Sequence, residues 1–393
     1  MAKGGIKNYV SRRAIKAYCM LRGAKQNPKL AKDYVLLRFH VFLSKLGNKL
    51  NFYHEPKLKS IVSAKIELTQ ACPSKCITCN FWRINSMMNG CEIKENKLKH
   101  GEFEDLLRQL KKMNCNAVQL LGGETLAYRR APELIKLASL LGMKTNIITN
   151  GILMTPEIAK EIGESGLTTI GFSIDGPKKI NDHIRGHKDA FEKQINAIKL
   201  IQKYDKENKI HKSICVTISV PNVEYLDKIM DIANEVGIKE VSYYMMSTYS
   251  EDTKEQTDDL FKEKVGSLEF MVPSSLAAKD KFLLDKKRKE ILKKAKEYGI
   301  VVRGQFFTKE MVDVDKAIRR EDKFCITPYK FCTIDCYGHV YPCDLLRYSF
   351  GNIRKNSLKE ILNSARYSKF SKIYIKKFKD IKICRYCPLY GPI

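Results

Sequence analysis

Three cysteines in the segment ACPSKCITCNFW are the residues whose types and spacing point most directly to chemistry. Cys72, Cys76 and Cys79 are spaced CxxxCxxC and come directly after an apolar run. A closed zinc site takes four ligands, commonly as paired CxxC units, so three thiolates are one ligand short. An iron-sulfur cube holds four irons, and three thiolates leave one iron open to a small molecule. The spacing therefore favours such a cluster over structural zinc, which stays the alternative.

The elements that must position these thiols form a regular series of strands and helices. Strand-like runs alternate with helical patterns and lie at 61–69, 117–123, 144–151, 168–175, 213–220 and 240–247. This alternation predicts an α/β protein with a parallel sheet and right-handed crossovers, either a barrel or an open sheet. Functional residues of such sheets collect at the carboxyl ends of the strands. A further helix is predicted near 280–298, followed by a short strand in IVVRG.

Unusual residues follow the first four strand-like runs, as that rule requires. The cysteine triplet follows the first run. The motifs that close the next three are Gly122-Gly123-Glu124, Thr149-Asn150-Gly151 and Ser173-Ile174-Asp175-Gly176. Each motif alone would be an ordinary turn. Their position after successive strands indicates one common site.

In order and spacing, these motifs resemble the radical S-adenosylmethionine (radical SAM) superfamily over roughly residues 61–247. The resemblance implies a partial (β/α)6 TIM-type barrel and a [4Fe-4S] cluster on the cysteine triplet. The open iron would be chelated by the amino and carboxylate groups of S-adenosylmethionine. Reduction, by an electron donor such as flavodoxin or ferredoxin, would cleave a C–S bond of this cofactor. The products would be methionine and a 5′-deoxyadenosyl radical that removes a hydrogen atom from the substrate.

The resemblance also implies which residues contact the cofactor. The glycine pair would let the backbone approach the methionine amine, and Glu124 would offset the charge of that amine. Ser173 would bond a ribose hydroxyl. Arg185 would bond the methionine carboxylate, although on spacing alone a surface role is an equal alternative. The predicted cofactor-binding residues are Gly122, Gly123, Glu124, Asn150, Ser173, Asp175 and Arg185.

Two positions depart from the family pattern. The residue before the third cysteine, usually aromatic in the family, is Thr78, and Thr125 replaces a proline that often follows GGE. These departures affect the packing expected beside the adenine and leave the cluster ligands unchanged. No catalytic base or hydrogen donor is assigned, and Tyr243, Tyr244 and Asp335 are candidates by location only.

A second group of cysteines lies near the end of the sequence. The four whose spacing is similar to the opening of a SPASM or shorter twitch extension are Cys325, Cys343, Cys384 and Cys387. That similarity implies one auxiliary [4Fe-4S] cluster, and a zinc knuckle on the same thiolates is the alternative. Four protein thiolates would close the cluster to substrate, which leaves electron transfer or structure as its role. Cys332 and Cys336 are either extra ligands or small buried residues.

The composition indicates the cellular compartment in which the protein is expected. The sequence shows no signal-peptide core and no apolar run of the roughly eighteen residues that a membrane span needs. We therefore expect a cytosolic protein, and peripheral contact with a membrane surface is compatible with this expectation. Thirteen cysteines in a reducing compartment are expected to bind metal instead of forming disulfides. The isolated cysteines, interpreted as packing residues, are Cys19, Cys91, Cys115 and Cys215.

The formal net charge of +27 is concentrated in part at the N-terminus, where residues 1–60 hold fourteen Lys and Arg against Asp33 and Glu55. Such a run is most often a solvated face, and the alternatives are contact with an anionic membrane, an acidic peptide or nucleic acid. The segment KDYVLLRFHVFLSKL (32–46) would form a basic helix with an apolar stripe. That stripe would lie on lipid or pack against the barrel.

We expect four regions along the chain. They are a basic, helical N-terminal extension (1–60), the radical SAM core barrel (61–248), a completing or linking region (249–324) and a small cysteine-rich SPASM/twitch-like domain (325–393).

Three functions follow as hypotheses. Because such extensions are most common in peptide-modifying enzymes, the first is a radical SAM enzyme that acts on a peptide or protein. The second is radical SAM modification of an amphiphilic lipid or sugar precursor of the cell envelope at the membrane surface. The third is a non-enzymatic zinc protein that binds nucleic acid. Nucleic acid is disfavoured because aromatic and basic residues are not interleaved as a stacking platform needs.

Overall fold

The computed structural model describes residues 60–79, 82, 97–246, 251–262, 274–307, 325, 327–385 and 387. The strands are β1 (Ser63–Thr69), β2 (Ala117–Gly122), β3 (Lys144–Thr149), β4 (Thr169–Ser173), β5 (His211–Ile218), β6 (Glu240–Met245), β7 (Val301–Arg303), β8 (Phe331–Ile334), β9 (His339–Tyr341) and β10 (Gly351–Asn352). They form one sheet in the order β10-β9-β8-β1-β2-β3-β4-β5-β6-β7.

The sheet is parallel from β8 through β1 to β7, and β9 and β10 add to it antiparallel. The six strand-like runs predicted from the sequence are β1 to β6, so the predicted parallel α/β sheet is confirmed. The short strand predicted in IVVRG is β7.

The two faces of the sheet differ in chemistry because side chains alternate along a strand. On β1, Ala64, Ile66 and Leu68 are each at most 2% exposed, and they form the outer, aliphatic face. The opposite face is polar and partly open. We call it the inner face, and its residues include Lys65, Glu67, Gln119, Asn146, Ser173, Cys215 and Tyr244. The strand ends and the inner face together frame the candidate site.

Helices connect the parallel strands. The longer ones are α1 (His100–Lys112), α2 (Ala131–Leu140), α3 (Pro156–Glu164), α4 (Lys178–Arg185), α5 (Ala190–Tyr204), α6 (Lys228–Glu235), α7 (Glu251–Phe261) and α8 (Lys281–Tyr298). Those after Cys325 are α9 (Thr327–Lys330), α10 (Leu358–Ile361), α11 (Ala365–Lys377) and α12 (Lys382–Arg385). Single 3-10 turns occur at Thr125–Ala127, Val223–Tyr225, Ser274–Leu276, Gln305–Phe307 and Phe378–Asp380.

Local sequence explains where several helices begin. Thr155 Oγ1 accepts a hydrogen bond from Ile158 N (3.3 Å) and caps α3, whose first residue is a proline. Asp280 caps α8 in the same way. The sequence patterns did not predict α4, α7 and α11, because α4 has only eight residues and charged residues interrupt the apolar positions of α7 and α11.

The cysteine-rich C-terminal part joins the barrel sheet directly. β8 pairs with β1 in parallel, from Ser63 opposite Phe331 to Ile66 opposite Ile334, and β9 returns antiparallel to β8. The chain divides into two compact units. Residues 58–370 and 378–393 belong to one unit, and residues 371–377 belong to the other. The domain limits at 60, 248 and 324 stay predictions.

Some of the sequence-based expectations fall outside the described residues. These are the basic N-terminal extension, the amphipathic helix at 32–46, and Cys19 and Cys91. No helix in the described ranges combines the length and the apolar character that crossing a bilayer requires.

Candidate active site

The loop that carries the cysteine triplet leaves β1 and packs on the turn after β2. Gly123 N donates to Thr69 O (2.8 Å), and Glu124 N donates to Ala71 O (2.8 Å). A Cβ at Gly123 would lie 2.6 Å from Ala71 O, closer than real contacts allow. The glycine pair is therefore required by the cysteine loop itself, which passes backbone to backbone over Gly122 and Gly123. Close approach of the methionine amine stays a prediction.

The end of α4 also contacts this loop. Ile77 N donates to Ile184 O (2.9 Å). Gly186 ends the helix with φ +58°, and a Cβ there would lie 2.8 Å from the carbonyl carbon of Lys75. Only glycine meets both conditions without strain. Backbone contacts from two elements thus fix the loop, and the second of them carries Arg185.

Glu124 is buried and joins the ends of β2 and β3. One carboxylate oxygen accepts hydrogen bonds from Leu126 N (3.0 Å) and Thr149 Oγ1 (2.7 Å), and the other accepts one from Asn150 N (2.7 Å). Burial raises the pKa of this carboxyl group, and the three hydrogen bonds oppose the rise. Asn150 Nδ2 lies 3.5 Å from Cys72 Sγ. The second and third strand-end motifs and the first cysteine therefore belong to one site.

Arg185 lies beside the cysteine triplet and pairs with Asp175. Its Nη2 is 2.7 Å from Asp175 Oδ2, so the two side chains form a buried ion pair. Among the described residues, Arg185 Nε is buried without a hydrogen-bond partner. The guanidinium also interacts electrostatically with Cys76 and Cys79. A guanidinium with an unused donor beside three thiols can bind a further polar group at this site.

Asp175 and Ser173 differ in what they offer to a ligand. Asp175 is 1% exposed, and its other oxygen accepts a hydrogen bond from Thr217 N (2.8 Å), so it positions Arg185 and joins β4 to β5. Ser173 lies on the inner face, in register with Cys215. Within the described ranges its hydroxyl makes no hydrogen bond, whereas its carbonyl accepts one from Gln194 Nε2 (2.8 Å). The hydroxyl is therefore the group of this motif that can reach a ligand.

The thiols of the triplet fit an iron-sulfur cluster. Burial raises the pKa of Cys72 to about 12, and the charges of Glu124, Cys76 and Cys79 add to the rise. Burial also raises the pKa of Cys76, against the neighbouring Arg185. Such thiols stay protonated until a positively charged metal favours the thiolates. Their mutual interaction, with Arg185 beside them, matches a three-thiolate donor set.

A single metal ion has different requirements. Among the described residues, no three His, Cys, Asp or Glu side chains converge on one point as a single ion would need. In a four-iron cluster each thiolate binds a different iron, so the ligands do not share one point.

Polar residues form a row across the inner face. Lys65 is in register with Gln119 on β2 and Thr333 on β8, and Gln119 is in register with Asn146 on β3. Gln119 Nε2 donates to Asn146 Oδ1 (3.0 Å). The side chain of Lys65 is 36% exposed. The row therefore offers hydrogen-bonding groups to a bound molecule.

The three residues considered as catalytic candidates by location differ in burial and in their contacts. Tyr243 is fully buried on the outer face and its hydroxyl donates to Leu226 O (2.9 Å). Asp335 accepts a hydrogen bond from Tyr341 Oη (2.9 Å) and shapes the turn between β8 and β9. Tyr244 lies on the inner face and is 36% exposed. Only Tyr244 is placed where a substrate can reach it.

The C-terminal cysteines come together around Cys343. Burial raises the pKa of this thiol to about 12, and the neighbouring Cys387 and Cys325 add to the rise. Cys343 Sγ accepts a hydrogen bond from Leu346 N (3.3 Å). Cys387 N donates to Cys384 O (3.4 Å), so the fourth cysteine is tied to the group through its backbone. All four predicted auxiliary ligands therefore lie in one region.

Cys332 and Cys336 have the environment of packing residues. They are 1% and 0% exposed, and burial raises the pKa of both thiols. Cys332 interacts with Cys115, a thiol at the start of β2. Their role as small buried side chains, one of the two sequence-based alternatives, accounts for these contacts.

Sequence reasoning missed two ion pairs on the inner face. Lys65 pairs with Asp344, and Glu67 pairs with Arg347. The signal was present in the β1 sequence AKIEL, where charged residues alternate with aliphatic ones in a strand at the centre of the sheet. Their partners, 279 and 280 residues away, could not be identified from a pattern.

Comparison with known proteins agrees with this geometry. The sequence matches the radical SAM superfamily over residues 66–236 and the SPASM iron-sulfur cluster-binding domain over residues 325–388. It is 27% identical over 310 residues to the AdoMet-dependent heme synthase of Methanosarcina barkeri, which is 76% of this chain and 81% of that protein. It is 26% identical over 187 residues to the PqqA peptide cyclase of Bradyrhizobium diazoefficiens, which is 46% of each chain.

The fold is similar to that of Streptococcus suis SuiB. The structure of SuiB bound to S-adenosylmethionine has a TM-score of 0.60 at 17% identity and covers 98% of this chain and 84% of SuiB. The structure of SuiB bound to precursor peptide SuiA has a TM-score of 0.58 at 17% identity, with coverages of 92% and 76%. At this identity the likeness establishes the fold. It confirms the predicted α/β fold of partial-barrel type with a cysteine-rich C-terminal domain.

The two sequence matches establish the cofactors by class: a [4Fe-4S] cluster, S-adenosylmethionine and an auxiliary iron-sulfur cluster. They confirm the family resemblance inferred from the four strand-end motifs and the second cysteine group. Residues 66–236 of this chain thus belong to the radical SAM superfamily, and residues 325–388 match its SPASM iron-sulfur cluster-binding domain.

Proposed function

We propose that this protein is a radical SAM enzyme that reductively cleaves S-adenosylmethionine and removes a hydrogen atom from a peptide or protein substrate. Cys72, Cys76 and Cys79 hold the [4Fe-4S] cluster in this proposal. The observation that carries it is the buried Arg185 guanidinium, whose Nε has no hydrogen-bond partner among the described residues, beside a cysteine loop that is fixed by backbone contacts. The cluster and its cofactor supply the radical chemistry, and the chain supplies binding and orientation.

The residues around the triplet have separate roles toward S-adenosylmethionine. Arg185 binds the methionine carboxylate, and Asp175 holds the guanidinium in place. Glu124 faces the methionine amine with the carboxylate oxygen that accepts the hydrogen bond from Asn150 N. Ser173 bonds a ribose hydroxyl. The burial and contacts of each side chain support its role.

Cys325, Cys343, Cys384 and Cys387 hold one auxiliary cluster in this proposal. Four thiolates leave that cluster without a free position, so its role is electron transfer or structure. The electron donor is a small redox protein of the flavodoxin or ferredoxin type. Contact with an anionic membrane through residues 1–60 stays a prediction, because those residues lie outside the described ranges apart from Ser60.

The inner face supports a peptide as the substrate. Gln119 and Asn146 present amide groups, and Ser173 and Tyr244 present hydroxyl groups, all on one face of the sheet. Amides and hydroxyls pair well with a peptide backbone, whereas a lipid chain needs apolar walls. Two of the similar proteins are a PqqA peptide cyclase and SuiB, which was solved with a precursor peptide.

A tetrapyrrole is the second candidate substrate, because the similarity to the AdoMet-dependent heme synthase extends over 76% of this chain. The described inner face argues against it. Two cations of the described part of this face, Lys65 and Arg347, are already paired with Asp344 and Glu67, so binding the carboxylates of such a ligand would compete with these ion pairs.

Transfer of deuterium tests the substrate class without knowledge of the substrate. Source cells are grown fully deuterated, and their extract is split into peptide and protein, lipid, and small-molecule fractions including tetrapyrroles. Each fraction is incubated with the reduced enzyme and unlabelled S-adenosylmethionine, and the mass of 5′-deoxyadenosine is measured. We expect deuterium from the peptide and protein fraction alone, lost after digestion to amino acids. Deuterium from only the lipid or small-molecule fraction would refute the peptide proposal.

A further inference from the structure

Strand β1 places two charged side chains on the inner face. Glu67 is 1% exposed, and Lys65 is partly buried, with 36% of its side chain exposed. Removing a charge from bulk water is unfavourable unless an opposite charge and hydrogen bonds replace the water. The partners of these two residues therefore have a structural and electrostatic importance that a surface ion pair lacks.

Both partners come from the segment that follows Cys343. Asp344 is the next residue in the chain and pairs through Oδ2 with Lys65, while its Oδ1 accepts a hydrogen bond from Thr333 Oγ1 (2.8 Å). Arg347 pairs with Glu67 through both terminal nitrogens, and one of these contacts is 3.3 Å long. The segment has no helix or strand of its own over 342–350. The two ion pairs therefore attach this segment to β1, as backbone hydrogen bonds attach neighbouring strands to each other.

Lys65 is also near Cys343. It pairs with Asp344, the residue next to Cys343 in the chain, and its charge interacts with the Cys343 thiol, which in turn interacts with Cys325 and Cys387. The same strand leads into the cysteine triplet, because Thr69 ends β1 three residues before Cys72. From Lys65 to Thr69 the strand rises roughly 13 Å. Strand β1 thus connects the two cysteine groups.

We propose that Lys65 is a positioning residue for the auxiliary cluster: it fixes the Cys343 segment through Asp344 and its positive charge raises the reduction potential of that cluster. This inference rests on the proposed assignment of Cys325, Cys343, Cys384 and Cys387 as ligands. A cluster on four thiolates carries net negative charge, which grows by one unit when it accepts one electron. A nearby cation stabilises the reduced form, and a nearby carboxylate opposes it, since net charge and surroundings set the potential.

The potential of the auxiliary cluster tests the proposal in the full-length chain. The background is Cys72→Ala/Cys76→Ala/Cys79→Ala, so that only the second cysteine group binds iron, and no substrate or S-adenosylmethionine is added. Iron, sulfide and zinc are measured after anaerobic reconstitution, and the midpoint potential is followed by electron paramagnetic resonance. The variants are Lys65→Met, Asp344→Asn and the double variant, with Lys144→Met, an exposed lysine at the start of β3, as the matched control.

We expect Lys65→Met to shift the potential to a more negative value and Asp344→Asn to shift it to a more positive one. The double variant, which removes both charges, returns close to the parent, and Lys144→Met does not shift. Equal potentials in all variants that keep a full iron content would overturn the charge effect. Zinc in place of iron would overturn the inference as a whole. Either result is distinct from failure of the peptide proposal, which depends on deuterium transfer at the other cluster.

Discussion

At the scale of single residues, the site depends on one buried ion pair. Asp175 is 1% exposed, and among the described residues Arg185 is the cation paired with it, while the hydrogen bond from Thr217 N uses the other carboxylate oxygen. In the proposed function, the same arginine also binds the methionine carboxylate. Experiments can separate these two roles, because the ion pair with Asp175 affects the stability of the fold and the carboxylate contact affects the affinity for the cofactor.

Replacing Arg185 with methionine should weaken binding of S-adenosylmethionine to the iron-loaded protein by roughly 10- to 100-fold, as expected for one lost charge-assisted hydrogen bond. Equilibrium dialysis under anaerobic conditions measures the affinity. Lys178→Met is the matched control, because Lys178 lies on the same helix and is 52% exposed. Unchanged affinity with full iron content would contradict the role given to Arg185.

The same substitution should also destabilise the protein by about 3–5 kcal/mol, because it leaves the Asp175 carboxylate buried without its partner. The double variant Asp175→Asn/Arg185→Met should recover much of this loss in urea unfolding and still bind the cofactor weakly. Recovery of binding together with stability would mean that Arg185 acts only on the fold.

The sequence was sufficient for residues that act through local motifs. The cysteine triplet was named from its spacing after a strand, whereas Arg185 was named through the family resemblance, because its spacing alone fitted a surface role equally well. The structure places Arg185 beside the triplet, and its role toward the cofactor stays a prediction. Lys65 and Asp344 were not identified, because an ion pair between residues 279 positions apart depends on strand order. The reason for the glycine pair was also incomplete. Its closest neighbour is the backbone of the cysteine loop, which only the folded chain brings there.

At the scale of elements, the predicted cluster ligands lie on a loop, and the ends of β2 and α4 fix the position of that loop. The turn after β2 is the tighter of these contacts, since the backbone of Gly123 touches that of Ala71. No side chain can be added there without moving the cysteines. Stability and metal binding are therefore linked at this turn.

Substitution of Gly123 by alanine should reduce the iron bound by the triplet, because the added methyl group displaces the cysteine loop. Iron per chain is measured after anaerobic reconstitution in a background that lacks the four auxiliary cysteines. Gly101→Ala is the matched control: nothing lies within 4 Å of a Cβ at Gly101, and alanine in a helix is favourable. Full iron loading of Gly123→Ala would contradict the proposed contact.

Helices α6 and α8 are joined by a carboxylate with two lysines. Asp227 precedes α6 and contacts Lys287 (2.8 Å) and Lys294 (3.1 Å) of α8. Burial opposes the ionisation of Asp227, but the two lysines outweigh it and hold the pKa of this carboxyl group below its ordinary value. Because the pKa is lower in the folded state, the pair stabilises the fold above the unfolded pKa, and this stabilisation is lost as pH falls through the folded value.

Asp227→Asn should therefore lower the free energy of unfolding by about 1–2 kcal/mol at pH 7. The difference from the parent should narrow in urea titrations below about pH 4, where the parent carboxylate becomes protonated. Asp189→Asn is the control, since Asp189 also precedes a helix and makes no side-chain capping hydrogen bond. A difference that is constant from pH 7 to pH 3 would refute the assignment.

Strands were predictable and several helices were not, for a physical reason. The parallel strands are covered by helices on one face, so each shows a dense apolar run that stands out in the sequence. Helix α4, with the sequence KKINDHIR, has two buried side chains, Asn181 and Ile184, and one of them is polar. Its position is decided by tertiary contacts, which a periodic pattern does not record.

At the scale of the whole molecule, the C-terminal cysteines belong to the same sheet as the barrel. Strand β8 covers the edge of β1, and the loop after β9 neutralises the two charges of β1. The sequence indicated a cysteine-rich composition from Cys325 onward and predicted a small domain there. It could not show that this region supplies the neighbour of the first barrel strand, because strand order is not encoded in spacing.

A chain that ends at residue 324 should therefore be much less stable than the full chain or aggregate, since β1 becomes an open edge and keeps two unpaired inner charges. The control is the full-length chain with Cys325, Cys343, Cys384 and Cys387 replaced by alanine, which loses the auxiliary cluster and keeps β8. We expect this control to stay folded by circular dichroism. A truncated chain as stable as the control would refute the structural role of β8.

The central claim is that Cys72, Cys76 and Cys79 hold a cluster at which S-adenosylmethionine is cleaved, and the most direct measurement is formation of 5′-deoxyadenosine by the anaerobically reconstituted, dithionite-reduced protein. The account predicts 5′-deoxyadenosine from the parent, none above background from Cys76→Ala, and the parental amount from Cys115→Ala, which removes a buried thiol that is not part of either cysteine group. Equal product from Cys76→Ala and the parent would contradict it, as would an iron-loaded parent that forms none.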